Sequence, residues 1–319
     1  MGEMDYRTLG RTGLRVSALA LGTVELGLDY GIHAPGQVGR PTEADAIRLV
    51  HAALDAGINF LDTARAYGES ERILGRALAG RRHDVVLATK VDPRAPDGVI
   101  FDDADLRRHM EAQLATSLDL LRTDHVDVWM LHSVDEALLA RADLLADLFA
   151  DARRRGQIGW SGASFYGTDL PEAALHLDLF DVIQVAYSVL DQRQSARVLP
   201  LAQAKNVGVV ARSVLLKGVL TTRADHLPAH LAPLRDRSRA FRARLAETGV
   251  DVTPAQGAIA FALAHPQIDT VLVGASSQAE LQEDVDALAV QLTPTVLAAW
   301  QELAVDDADL LNPSTWGIP

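Results

Sequence analysis

Apolar and polar positions alternate along the chain in a repeating way. Short apolar runs occupy residues 18–22, 59–62, 85–90, 126–132, 158–164, 182–187, 207–212 and Thr270–Gly274. Stretches of helical periodicity separate most of them, with the clearest at 44–56, 105–121 and 134–155. The first of these stops at Gly57, the residue type that ends helices most readily. Strand alternating with helix predicts a parallel sheet with helices outside it. Eight such runs favour closure into a (β/α)8 TIM barrel over an open sheet. Ahead of the first run, residues 6–17 read as two short strands around a Gly-containing turn. No strand is followed by Gly-x-Gly-x-x-Gly, so the usual dinucleotide fold would lack its phosphate loop. The segments 23–41 and 215–245 break the rhythm. Each follows a strand and is expected to rise from the C-terminal face, where barrels place their sites.

A chain of 319 residues fits one such barrel with additions, so a single domain over 1–319 is expected. Hydrophobic residues make up 48%, enough for a large core. No apolar run approaches the roughly 18 residues of a membrane span, and residues 1–9 carry charges where a signal peptide would be apolar. Cysteine is absent, which excludes disulfides and thiolate chemistry and fits a reducing, cytoplasmic setting. The net charge of −13 argues against nucleic acid or an anionic membrane as partner and leaves a small-molecule substrate. The charge is unevenly spread, with no Lys or Arg from 245 to 319.

Polar residues at the C-terminal ends of barrel strands face a shared mouth. Asp62 ends the second run, Tyr67 lies five residues on, Lys90 ends the third run and His132 the fourth. Taken singly these are a turn former, a packing tyrosine, a solvated lysine and a core histidine. Four at successive strand ends are hard to explain by packing, and their chemistry fits together. Reduction of a carbonyl needs a proton for the developing alkoxide. A tyrosine can supply it, although its ordinary pKa is about 10. A lysine ammonium nearby is expected to lower that pKa, an aspartate to keep the ammonium charged and oriented, and a histidine to polarise the substrate oxygen. The reverse sequence oxidises an alcohol.

These residues, within the segment 60–68 and at Thr89-Lys90 and Leu131-His132, make the chain resemble the aldo-keto reductase superfamily over nearly its whole length. The resemblance implies a catalytic tetrad of Asp62, Tyr67, Lys90 and His132, and an N-terminal β-hairpin closing the barrel bottom. It also implies NAD(P)(H) as cofactor. Ser164 and Gln184 would grip the nicotinamide carboxamide and Tyr187 would stack on the ring. Arg212, Ser213, Leu215 and Gly218 would follow the pyrophosphate, and Gly274, Ser276, Gln278, Gln282 and Glu283 would hold the adenosine end, at a helix N-terminus suited to phosphate.

Two departures stand out. Phe165 follows Ser164 where many relatives have Asn. The last motif also lacks the Lys or Arg that usually meets the 2′-phosphate of NADP and has Glu280 and Glu283 instead. Ser276, Ser277, Arg212 or an arginine of 215–245 such as Arg235 are the groups left to meet that phosphate. NAD(H) is therefore expected to bind at least comparably to NADP(H). The implied substrates are aldehydes, ketones, alcohols or sugars. A non-catalytic cofactor-sensing accessory subunit and a redox-neutral sugar isomerase with retained cofactor are the alternatives. Specificity is expected from 23–41, the loop after Lys90, 215–245 and the C-terminal tail, with Trp129 and Trp160 as candidates to line the pocket.

Overall fold

A computed structural model describes residues 4–32, 39–95, 98, 99 and 101–318. The expected single domain, the 23–41 segment, the loop after Lys90 and the tail each include positions outside these. Strands β1 (Tyr6–Thr8) and β2 (Arg15–Ser17) form an antiparallel hairpin, with Tyr6 opposite Ser17. Eight parallel strands follow: β3 (Leu19–Gly22), β4 (Phe60–Asp62), β5 (Val86–Val91), β6 (Val126–Leu131), β7 (Ile158–Phe165), β8 (Val182–Ala186), β9 (Gly208–Arg212) and β10 (Thr270–Gly274). They pair in chain order, and β10 returns to β3, closing the barrel. The (β/α)8 fold and its N-terminal hairpin are as the alternation predicts.

The helices are α1 (Val24–Gly27), α2 (Glu43–Asp55), α3 (Ser70–Ala77), α4 (Asp103–Leu121), α5 (Glu136–Leu139), α6 (Ala142–Arg154), α7 (Asp169–Leu177), α8 (Val198–Ala204), α9 (Ala232–Glu247), α10 (Pro254–Leu263), α11 (Gln278–Asp286) and α12 (Pro294–Gln301). The Thr42 hydroxyl caps α2 by accepting from Asp45 N–H, and Asp102 caps α4 in the same way, starting it two residues earlier than periodicity indicates. The continuous helix expected over 134–155 is instead two. Asp135 caps a single turn, α5; at Arg141 the backbone leaves helical geometry, and α6 begins. The 215–245 segment is three short 3-10 turns leading into α9.

Side chains alternate across each strand, so the barrel has two cores. Inside it, Ala20, Phe60, Val86, Ala88, Val128, Met130, Val182, Val210 and Leu272 pack together. The hairpin plugs this interior from below. Leu9 and Val16 join the cluster, and Leu9 lies against Gly208, where a Cβ would come within 2.7 Å of its Cγ. Arg11 pins the turn to the barrel bottom through Asp181 at 3.0 Å and Phe180 O at 2.9 Å. The outer core lies between strands and helices. Trp129 belongs to it, edge-on to Phe149 of α6. Trp160, near the start of β7, instead packs against the inner cluster and lies under the Arg153 guanidinium. Neither tryptophan lines the cavity at the mouth, which corrects that expectation; on β6 it is Val128 and Met130 that face inward.

Candidate active site

Following the inward-facing positions of each strand upward leads from the apolar interior to the mouth. Above Phe60 comes Asp62, above Ala88 comes Lys90, above Met130 comes His132, above Val182 comes Gln184 and above Val210 comes Arg212. Apolar layers thus hold a polar floor in place. Lys90, 1% exposed, donates to Asp62 Oδ2 at 2.5 Å, to Thr63 O at 3.1 Å and to Tyr67 Oη at 3.3 Å. The other Asp62 oxygen accepts from Gln184 Nε2 at 3.0 Å. The His132 ring stands edge-on to Tyr67, with centroids 5.3 Å apart.

The loop that presents Tyr67 is braced from several sides. Ser70 Oγ donates to Thr23 Oγ1 at 2.7 Å and lies 3.0 Å from Thr63 Oγ1. Behind it the buried Glu71 accepts from Arg65 at 2.5 Å and from Thr89, the neighbour of Lys90, at 2.6 Å. Gly27 makes close approach possible here, since a Cβ would come within 1.8 Å of Tyr67 O.

Burial sets the charge states. It pushes the Tyr67 phenol well above its ordinary pKa, and the Asp62 carboxylate adds to this. The expectation that Lys90 draws the phenol below its usual range is therefore not met; burial and Asp62 raise it, and the cation that opposes them is Arg212. The Tyr67 phenol is protonated at neutral pH. Burial lowers the Lys90 pKa, and Asp62 opposes that. His132 is pushed down to about 3 by burial, with Lys90 and then Arg212 adding to it, so its imidazole is neutral.

A cavity of about 670 Å³ opens over this floor. Asp62, Tyr67, His132, Ser164 and Gln184 line it from β4 to β8, Arg212, Ser213, Leu215 and Gly218 from β9 and the loop beyond, and Gly274, Ser276 and Glu283 from β10 and α11, the far end in chain order. Lys90 lies just beneath. Besides Lys90, three expected residues are not among those lining it. Tyr187 has the parity of Ile183 and Val185, faces the helical layer and stacks on Phe261. Gln278 and Gln282 occupy another side of α11, with Gln282 donating to Asp286 at 2.9 Å. Phe165 is buried against Phe180, so Ser164 alone of that pair reaches the cavity.

Arg212 donates to Ser164 Oγ at 3.2 Å, Ser213 Oγ at 3.1 Å and Phe165 O at 2.8 Å, and lies 4.2 Å from the centre of the Tyr166 ring. The lining also includes Glu25 and Asp284, which the sequence reading missed, together with Glu280. Of the arginines in 215–245, it is Arg223 and not Arg235 that lines the cavity, from the loop after β9, and it pairs with Glu280. On α11, residues 280, 283 and 284 share the face at helical spacing.

A nicotinamide dinucleotide fits this site. Its volume is within the roughly 300–1,000 Å³ of cofactor pockets, and polar groups stand at both ends. Two carboxyl oxygens on the wall, Glu25 Oε2 and Asp284 Oδ2, are buried without hydrogen-bond partners among the described residues.

Residues 18–305 match the aldo/keto reductase family model. An uncharacterized oxidoreductase of Bacillus subtilis (strain 168), YrpG, is 32% identical over 92% of this chain and 94% of its own length. L-galactose dehydrogenase of Arabidopsis thaliana is 30% identical over 90% of this chain and 89% of its own. The solved holo form of aldo-keto reductase AKR11C1 from Bacillus halodurans superposes with a TM-score of 0.79, at 29% identity, covering 95% of this chain and 97% of that one. The chain belongs to the aldo/keto reductase family, oxidoreductases that use NAD(P)H on small-molecule carbonyl substrates. Among the described residues no helix is long and apolar enough to cross a membrane.

Proposed function

We propose that this chain transfers hydride between NAD(P)(H) and the carbonyl or alcohol of an aldehyde, ketone or sugar, with Tyr67 as general acid in reduction and general base in oxidation. The observation that carries this reading is the buried trio Gln184–Asp62–Lys90 reaching Tyr67, beside His132, in the wall of a dinucleotide-sized cavity. The bound nicotinamide supplies or accepts the hydride. Tyr67 gives its proton to the substrate oxygen, and the Lys90 ammonium stabilises the phenolate that remains. Asp62 holds that ammonium in place, and Gln184 orients Asp62. His132, neutral, donates a hydrogen bond to the same substrate oxygen. Ser164 and Gln184 face the carboxamide, and Arg212, Ser213, Leu215 and Gly218 follow the pyrophosphate. NAD(H) is accepted at least as well as NADP(H). The cysteine-free, acidic chain fits a cytoplasmic enzyme.

A panel of aldehydes, ketones, alcohols and sugars, followed at the nicotinamide absorbance with both cofactors, tests the reading. Turnover with at least one pair is expected. A protein that binds neither nucleotide would be incompatible with it.

A further inference from the structure

A buried carboxylate outside the cavity joins the two halves of its polar floor. Glu71, in the first turn of α3, is fully buried and is not among the residues lining the cavity. Its Oε1 accepts from Thr89 Oγ1 at 2.6 Å, and its Oε2 accepts from the Arg65 guanidinium at 2.5 Å. Both partners lead to the candidate reacting groups. Thr89 precedes Lys90 on β5 and faces the helices where Lys90 faces the mouth. Arg65 stands two residues before Tyr67 in the loop after β4, and its backbone N–H donates to Lys90 O at 3.0 Å. One carboxylate thus grips both the strand that holds the ammonium and the loop that holds the phenol.

Stability does not account for this arrangement. Taking two charges out of water costs about as much as their attraction returns, and apolar side chains of similar volume often fold as well. The grip is anchored from outside too: Arg65 Nε donates to Gln113 Oε1 of α4 at 3.2 Å. The Glu71 charge also joins Asp62 in keeping Lys90 an ammonium against burial, which lowers its pKa.

On the reading that Tyr67 moves the proton, we infer that Glu71 is a positioning residue for the reaction: by holding Thr89 and Arg65 together it sets the separation of Lys90 Nζ from Tyr67 Oη, 3.3 Å here.

Variants of Glu71 and Thr89 test this, assayed with NADH and the panel substrate that the wild type turns over fastest. Glu71→Gln keeps the shape and breaks the ion pair. Thr89→Val keeps the ion pair and removes the hydroxyl, whereas Thr89→Ser retains it. A misplacement of about 1 Å can cost about 10²-fold in rate. Accordingly kcat should fall by about tenfold or more in Glu71→Gln and Thr89→Val, and stay within about twofold in Thr89→Ser. KM, and the NADH dissociation constant from fluorescence titration, should stay within about threefold, because Glu71 lies outside the cavity. In crystal structures of the two impaired variants the Lys90–Tyr67 separation should exceed about 3.5 Å. In a Lys90→Met background, Glu71→Gln should lower kcat by less than about twofold, since its effect runs through Lys90. A kcat near wild type in both Glu71→Gln and Thr89→Val, an unchanged separation, or an equal loss of rate in the Lys90→Met background would overturn the inference alone. Should Glu71→Gln fail to fold, the rate and separation in Thr89→Val decide by themselves. Failure of the wild type to turn over any member of the panel would overturn the inference together with the function proposed above.

Discussion

Replacing Glu25 by Gln is expected to stabilise the protein at pH 8 and leave it unchanged near pH 4. Burial raises the Glu25 carboxyl from its ordinary value near 4.5 to about 7; its own backbone N–H opposes this, Glu280 adds to it and Arg223 opposes it again. The folded chain therefore keeps a proton that the unfolded chain has released. Between pH 4.5 and 7 the native state binds more protons than the unfolded state, so stability falls as pH rises through that window. A displacement from 4.5 to about 7 corresponds to about 3 kcal/mol when complete. Contact with cavity water lowers this to about 2 kcal/mol. Gln has the same shape and cannot ionise, so it removes that loss. Urea unfolding of both proteins at pH 4, 6 and 8, without nucleotide, measures the difference from the midpoints at equal slope. The variant's advantage should be near zero at pH 4 and grow to about 2 kcal/mol by pH 8. An advantage that is the same at all three values, or that shrinks as pH rises, would refute the assignment of a protonated carboxyl to Glu25.

Other perturbations address the floor of the cavity. Lys90→Met leaves Asp62 buried without its cation, and should cost about 3–5 kcal/mol in urea unfolding at pH 7 while lowering kcat; a variant as stable as the wild type would show that Asp62 finds another partner. His132, held neutral by burial and its cationic neighbours, should contribute no inflection to the kcat profile between pH 5 and 8. An inflection near pH 6.5 that disappears in His132→Asn would contradict that.

Much of this arrangement was readable from the sequence, because the alternation that fills a barrel with Ala20, Phe60, Ala88 and Val128 also brings Asp62, Lys90 and His132 to its mouth. The same two-residue period could have excluded Tyr187, which shares the outer face with Ile183 and Val185. It also places Trp129 outside, against Phe149. The far end was less legible. Which side of α11 meets the cavity depends on how the helix sits on the barrel, and so Gln278 and Gln282 were favoured over Asp284. Glu25 and Arg223 come from a helical turn after β3 and a loop after β9, segments whose paths are set by tertiary contacts such as the Arg223–Glu280 pair. The upward shift of Tyr67 was equally out of reach, since its largest cause is burial, with the Asp62 carboxylate adding to it.

Paired rate and binding measurements on Tyr67→Phe bear hardest on the proposed chemistry. The substitution removes the hydroxyl that lies 3.3 Å from Lys90 and leaves the far end of the cavity untouched. With a substrate found for the wild type, turnover should fall by about 10²–10⁴-fold, the usual contribution of a general acid. The dissociation constant for NADH should stay within about twofold of the wild-type value, a change below roughly 0.5 kcal/mol. Turnover within about tenfold of wild type, with nucleotide binding intact, would place the proton transfer elsewhere and contradict the role assigned to Tyr67.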